Sequence, residues 1–379
     1  MKKTIVAMIL VGGKGVRLKE ITKDTAKPAV SFGAKYRLID FTLSNLANSN
    51  VDVVGIVTQY EPYELMNYIG SGASWDLDNI DGGVRFLTPY SSAENVMWQK
   101  GTAHAVRQYF SFVREFAADY VLILSGDHIY KMDYQKMLAH HVSRRAVITI
   151  AGIEVDWEDP SRYGIIETDA FDRVVGFEEK PVRPKSNLAS MGVYLFNTRD
   201  LERLLAGGPQ DELVDFGKNV IPHAIRSGEE VSCYRFGGYW RDVGTVESLY
   251  RANMDMLDDP EFLGLNSSKN LPVYSRSLNL PPHVVLPSGS VRSSVIADGS
   301  TIDGTVVHST VAYRSVVMKN AHVEDCVLLP DVFVSENATL RNVIVNAGVI
   351  VPENYRLEAA ETVVLDTANL TSLGGRSDE

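Results

Sequence analysis

Unbroken apolar runs open the chain and recur along its first half. Ile5-Val6-Ala7-Met8-Ile9-Leu10-Val11 contains no polar side chain, the pattern of a strand buried on both faces of a parallel sheet. Val51–Thr58 and Tyr120–Leu124 repeat that pattern, and Val147–Ile153 predicts a further strand. Between them lie predicted helices over Pro62–Ile69, Thr102–Phe116 and Tyr134–Val142. Such alternation signals an open α/β sheet, whose ligands gather beyond the carboxyl ends of the strands. Shorter strands are predicted at Gly164–Glu167, Val174–Glu178, Met191–Phe196 and Val231–Phe236. Further helices are predicted over Leu201–Leu205, Asp215–Ile225 and Glu247–Leu257.

The texture changes near residue 284. Aliphatic residues recur at Val291, Ile296, Ile302, Val307, Val311, Val317, Val323, Leu329, Val334, Leu340, Val345 and Ile350, with Gly, Asn, Ser and Asp between them. A repeat of about five to six residues fits neither a helix nor a flat strand, but it does fit the hexapeptide coils of a β-helix. One coil cannot bury its apolar row alone, so coils stack into a prism with an interior column on each face. A small β-sandwich is the competing architecture. The stretch from about 258 to 283, with Pro260, Asn266-Ser267-Ser268 and Pro272, reads as a linker, and Ser372–Glu379 as a frayed tail.

Composition narrows the function. At 379 residues the chain exceeds one typical core, so two domains are expected. With 45% hydrophobic and 22% charged residues it has the balance of a soluble globular protein. A net charge of −11 argues against nucleic acid and against an anionic membrane as partners. Any anionic substrate therefore needs a local basic pocket. Cys233 and Cys326 form no metal or redox motif and are expected as reduced thiols of a cytoplasmic protein. Lys2-Lys3 before the apolar run imitates a secretory leader. The run passes straight into Gly12-Gly13-Lys14-Gly15 without a small-residue cleavage site, and no run reaches membrane-spanning length.

That glycine turn is the first candidate for chemistry. Gly12, Gly13 and Gly15 let backbone N–H groups approach a polyphosphate, while Lys14 and Arg17 supply charge. A Walker loop is excluded, because no Gly-Lys-Ser/Thr follows at the required spacing. A dinucleotide fingerprint fails too, since Leu18 stands where its third glycine belongs. Three more constellations fall at predicted strand ends. Ser125-Gly126-Asp127-His128 places a carboxylate where it can hold Mg²⁺ against phosphates. Trp240-Arg241-Asp242 offers a second carboxylate, unless Arg241 and Asp242 simply pair at the surface. Glu179-Lys180-Pro181 combines a hydroxyl acceptor with a phosphate-neutralising cation, and Lys27 precedes a rigid Pro28. His140-His141 lies in a predicted helix, where neighbours face different ways and do not share a metal.

Further short motifs complete the pattern: Lys27–Gly33 (KPAVSFG), Arg37–Ser44 (RLIDFTLS), Thr58-Gln59-Tyr60, Gly101-Thr102-Ala103, Gly126–Tyr134 (GDHIYKMDY), Tyr163-Gly164, Ser190-Met191-Gly192, Asp215-Phe216-Gly217 and Trp240–Thr245 (WRDVGT). In this order, ahead of a β-helix, they resemble the sugar-1-phosphate nucleotidyltransferases, and among them the bacterial branch that forms ADP-glucose. The resemblance covers nearly the whole chain. It implies a Rossmann-like α/β nucleotidyltransferase domain with a mixed sheet over residues 1–257, a linker over 258–283, a left-handed parallel β-helix over 284–365 and a tail over 366–379.

The implied reaction joins ATP and glucose 1-phosphate, with Mg²⁺, into ADP-glucose and pyrophosphate for glycogen synthesis. The resemblance assigns Gly12, Gly13 and Arg17 to the triphosphate, and Arg17 and Lys27 to the departing pyrophosphate. Leu10, Gln59, Gly101 and Thr102 frame the base, and Asp127 and Asp242 hold the metal. Lys180 takes the phosphate of glucose 1-phosphate, with Glu179, Gly164 and Ser190 on the sugar. It further implies a tetramer, of one chain or with a sister subunit, and a sugar-phosphate effector. Two positions depart from the family. Gln99 replaces an aromatic contact near the sugar, and Asp24-Thr25 stands where some relatives carry a basic pair that serves activation, so weak or altered activation is expected. Related UTP- or dTTP-dependent enzymes and a non-catalytic regulatory subunit remain as alternatives. The latter class loses catalytic side chains, whereas Arg17, Lys27, Asp127, Lys180 and Asp242 are all present.

Overall fold

The computed structural model describes residues 5–12, 16–23, 25–59, 62–89, 99–157, 160–206, 214–259 and 271–376. Ile5–Val11 lies inside a nine-stranded mixed sheet, in parallel register with Tyr120–Ser125 on one side and Val53–Thr58 on the other. Gly83–Leu87 extends the parallel side beyond Val53–Thr58. On the other side Leu188–Asn197 runs antiparallel to Tyr120–Ser125 and to Ile148–Glu154, and leads to the hairpin of Gly164–Thr168 with Val174–Glu179. Val231–Arg235 pairs parallel with Ile148–Glu154. The central strands are buried on both faces because an apolar core packs on each side of the sheet.

Several predicted elements take a different form. The helix expected over Thr102–Phe116 is two, Thr102–Gln108 and Phe110–Glu115, with the chain turning at Tyr109 (φ −106°, ψ 21°). Asp215–Ile225 begins as a wide turn over Phe216–Val220 and becomes helical at Ile221–Arg226. Helix Leu38–Asn48 carries the RLIDFTLS motif. Among the described residues, no helix is long and apolar enough to cross a membrane.

The C-terminal part is a parallel β-helix, not a sandwich. On one face Thr301–Ile302 pairs with Val316–Val317, which pairs with Phe333–Val334, so successive coils advance by 15 and 17 residues. The other two faces form one continuous sheet, joined where Thr339–Val345 pairs with both His322–Glu324 and Val327–Leu328. Asn320, Asn337 and Asn354 occupy equivalent corners at φ 61°, 59° and 57°, a left-handed backbone that Asn tolerates better than most residues.

The interior row differs from the predicted one at three places. Val306, Leu328 and Val351 point inward, where Val307, Leu329 and Ile350 were expected. Adjacent residues of a strand face opposite sides, and at each of these sites two aliphatic neighbours compete. Ile350 is exposed. Leu329 faces outward into a separate apolar layer, with Val327, Ile344 and Val364, against Leu18, Phe41, Leu249 and Met256 of the α/β part. The expected frayed tail also has structure: Leu370–Leu373 forms a helical turn and Gly375–Arg376 pairs antiparallel with Tyr355–Arg356.

Candidate active site

The carboxyl ends of Ile5–Val11, Val53–Thr58 and Tyr120–Ser125 open into a cavity of about 430 Å³. The connection after Ile5–Val11 leads to Val53–Thr58 on one side and that after Tyr120–Ser125 leads to the strands on the other, the switch point where open α/β sheets bind ligands. Leu10 and Gly12 line it from the first strand, and Gln59 from the second. Gln99, Gly101 and Thr102 line it from the segment that starts the next helix, and Asp127 and His128 from the turn after Ser125. Lys27, Glu179, Tyr194 and Asp215 complete the wall. Sequence positions far apart thus meet at one sheet edge.

Among the lining residues, Lys27 Nζ lies 2.5 Å from Asp127 Oδ2; it also lies 3.1 Å from Oδ1 of Asp242, which stands just outside the lining. A short ribbon brings the carboxylates together: His128–Tyr130 runs antiparallel to Trp240–Asp242, with Asp242 opposite His128. Arg241 turns away to Asp255, at 2.8 Å, so the alternative of an Arg241–Asp242 surface pair does not form. Burial alone raises the Asp127 carboxyl, but the charges of Lys27 and His128 outweigh it and hold the group well below the usual carboxylate range. Burial likewise disfavours charge on Lys27, and Asp127 and Asp242 more than reverse it.

Asp127, His128 and Asp242 each present a ligand atom, all within 4.8 Å of one another. His128 Nδ1 is engaged with Met191 O at 3.1 Å, leaving Nε2 toward the carboxylates. Two carboxylates on a partly open wall suit a hard divalent cation, which keeps positions for phosphate oxygens. The donor set therefore fits a divalent metal.

On the opposite wall the Glu179 carboxylate fills a space that two glycines leave open. A Cβ on Gly217 would lie 2.6 Å from Glu179 Oε2, and one on Gly164 would lie 2.8 Å from it. Burial pushes the Glu179 pKa up, with Asp215 adding to the effect and Lys180 opposing it. Thr102 Oγ1 donates to Asp215 Oδ2 and accepts from Phe216 N. Gln59 and Gln99 tie their two segments together: Gln59 Nε2 donates to Gln99 O at 3.4 Å, and Gln99 Nε2 to Thr58 O at 3.3 Å. The Trp240 indole N–H is buried without a hydrogen-bond partner among the described residues.

Other expected site residues stand outside the cavity wall. Exposed Arg17 reaches Gly244, so that a Cβ there would meet Arg17 Nη2 at 3.0 Å and Asp242 Oδ2 at 3.2 Å. Lys180 is more than half exposed, its Nζ 3.8 Å from Glu179 Oε1. Ser190 sits behind Tyr194, its Oγ 3.3 Å from the Tyr194 hydroxyl, and Gly164 backs Glu179. Gly13, Lys14, Gly15, Asp24, Tyr60 and Pro260 lie outside the described residues, as does the stretch 261–270 of the expected linker. Asp215, Tyr194 and His128 received no substrate role from sequence. The motif Asp215-Phe216-Gly217 was the available signal for Asp215, and the motif Gly126–Tyr134 for His128; no spacing marks Tyr194.

A cavity at the switch point, lined by Lys27 and Asp127 with Asp242 paired to Lys27 just beyond the lining, and followed by a β-helix, defines a nucleotidyltransferase. The family model described as "Nucleotidyl transferase" matches residues 6–259, and "GlmU-like, C-terminal hexapeptide" matches 285–363. Proteins named glucose-1-phosphate adenylyltransferase align along almost the whole chain. That of Bacillus cytotoxicus is 48% identical, covering 93% of this chain and 94% of its own. Those of Bacillus mycoides and Bacillus anthracis are 47% and 46% identical, covering 96% of both chains. The chain belongs to the nucleotidyl transferase family, in the group of these adenylyltransferases.

Proposed function

We propose that this chain joins ATP and α-D-glucose 1-phosphate into ADP-glucose and pyrophosphate, supplying glycogen synthesis in the cytoplasm. The observation that carries the reading is the Lys27–Asp127–Asp242 group at the cavity, in a chain 46–48% identical to named adenylyltransferases. In the reaction a phosphate oxygen of the sugar attacks the α-phosphorus of ATP. The new O–P bond forms as the bond to the β-phosphate oxygen breaks, and pyrophosphate leaves without proton transfer.

Both reactants are anions, so the site must screen repulsion, align the groups and stabilise the leaving charge. Mg²⁺ held by Asp127 and Asp242 would supply that screening. Lys27 is placed to pass from its carboxylate partners to the departing pyrophosphate, with Arg17 and the glycine turn at Gly12 and Gly13 on the triphosphate. Leu10, Gln59, Gly101 and Thr102 frame the base. Glu179, cradled by Gly164, accepts sugar hydroxyl protons with Ser190 and Gln99 nearby, and Lys180 takes the sugar phosphate. A tetramer, with one kind of chain or two, completes the proposal. A second cavity of about 480 Å³, lined by Lys35, Arg37, Arg276 and Arg314, supports a sugar-phosphate effector.

Pyrophosphate release with Mg²⁺ and glucose 1-phosphate, given ATP, UTP, dTTP, CTP or GTP in separate runs, tests the reading. Preference for ATP is expected. Preference for UTP or dTTP would overturn the product, and silence with all five would point to a regulatory subunit.

A further inference from the structure

We infer that Asn45, supported by Thr42, is a positioning residue that sets the spacing of Asp127 and Asp242; the inference rests on the metal-ligand reading above. Helix Leu38–Asn48 buries Asp40, Thr42, Ser44 and Asn45 almost completely. Thr, Ser and Asn compete with backbone bonding inside a helix, so their burial needs partners elsewhere. Asn45 Nδ2 donates to Tyr130 O, and Asn45 Oδ1 accepts from Met132 N, both at 3.1 Å. Thr42 Oγ1 donates to Ser125 O at 3.1 Å. At the helix end Ser49 Oγ accepts from Tyr134 N at 2.8 Å.

All four bonds fall on residues 125–134, the segment that leaves the main sheet after Ser125 and carries Asp127 and His128. Asn45 grips the far end of the strand His128–Tyr130, whose near end sets His128 opposite Asp242. Thr42 holds Ser125, whose own hydroxyl donates to Asp127. The helix therefore fixes the ribbon at both ends without touching the cavity. Removing the Asn45 amide frees one carbonyl and one N–H together, and a buried ribbon with two unpaired groups shifts to recover them. That shift moves the two carboxylates relative to each other.

Substitution at Asn45 and Thr42 tests this. Asn45→Ala is expected to weaken Mn²⁺ retained by the protein without substrates, read by electron paramagnetic resonance, about tenfold. The Mg²⁺ concentration for half-maximal rate should rise in step and kcat fall, with KM for glucose 1-phosphate unchanged. Should Asn45→Ala fail to fold, Thr42→Val keeps the shape and loses the hydroxyl, while Thr42→Ser restores it. The valine variant should shift metal response in the same direction and the serine variant should match wild type. Wild-type metal response in folded Asn45→Ala or in Thr42→Val overturns the inference. Asp127→Asn, run alongside, separates the two layers of argument. If it too retains Mn²⁺ and turns over normally, the metal-ligand reading falls and this inference with it. If it is dead while Asn45→Ala is silent, only the positioning role falls.

Discussion

Lys27 Nζ lies 2.5 Å from Asp127 Oδ2, a largely buried ion pair in the cavity lining between residues far apart in sequence. Asp242 joins it from a third part of the chain. Burial opposes the charge on both members, and mutual attraction overrides it in each case. The pair is therefore a stability element as well as part of the proposed catalytic group.

Its pH dependence has a definite sign. A depressed carboxylate pKa stabilises the fold above the unfolded value, about 3.9, and that stability is lost as pH falls through the folded value. A raised ammonium pKa stabilises below about 10.4 and is lost as pH rises through the folded value. Lys27→Met strands two largely buried carboxylates, 21% and 17% exposed, and is expected to cost about 3 kcal/mol near neutral pH. The deficit should shrink as pH falls and the stranded Asp127 carboxylate protonates. Denaturant titrations of both proteins across pH check this, and a deficit that persists undiminished in acid would contradict it.

The Glu179 cradle makes a kinetic prediction. A methyl group at residue 217 would lie 2.6 Å from Glu179 Oε2, closer than packed atoms tolerate, so the carboxylate must move. Gly217→Ala is expected to raise KM for glucose 1-phosphate roughly tenfold, since displacement by about an ångström is costly at a substrate-orienting group. Steady-state kinetics with the sugar phosphate varied would show it; an unchanged KM would remove Glu179 from the sugar site.

The β-helix row makes a stability prediction. Ile350 is 65% exposed and Val351 fully buried. Ile350→Ala should change the unfolding free energy by no more than about 0.5 kcal/mol. Val351→Ala should cost roughly 2 kcal/mol, through lost burial and a cavity between coils. Thermal unfolding of the two variants decides which residue faces the interior.

These contrasts mark where sequence was informative. Ile5–Val11 and Tyr120–Leu124 were legible because strands buried on both faces must be apolar throughout. Gly83–Leu87 was not, since it lies at the sheet edge, half-buried, with Arg85 exposed. Helix Leu38–Asn48 was visible only as a motif, because Asp40, Thr42 and Asn45 are polar yet buried and erase the amphipathic pattern. The hexapeptide period announced the β-helix, but where Val306-Val307, Leu328-Leu329 and Ile350-Val351 place two aliphatics together, only packing chooses between them. At the site, Asp127, Asp242 and Glu179 stood out as charged groups at strand ends, and Lys27 as a lysine beside a rigid proline. That Gly217 shapes the space for Glu179, or that His128 faces both carboxylates, depends on contacts between distant segments that no local spacing records.

The most direct test of the central claim is the turnover of Asp127→Asn, measured as pyrophosphate released from ATP and glucose 1-phosphate with Mg²⁺. The substitution keeps shape and removes the charge that Lys27 meets and that the proposed metal would require. A loss of about 10²–10³-fold in kcat, in a protein that still unfolds cooperatively, is the expected result. Turnover equal to wild type would contradict the account, because the group at the cavity would then not be where the chemistry occurs.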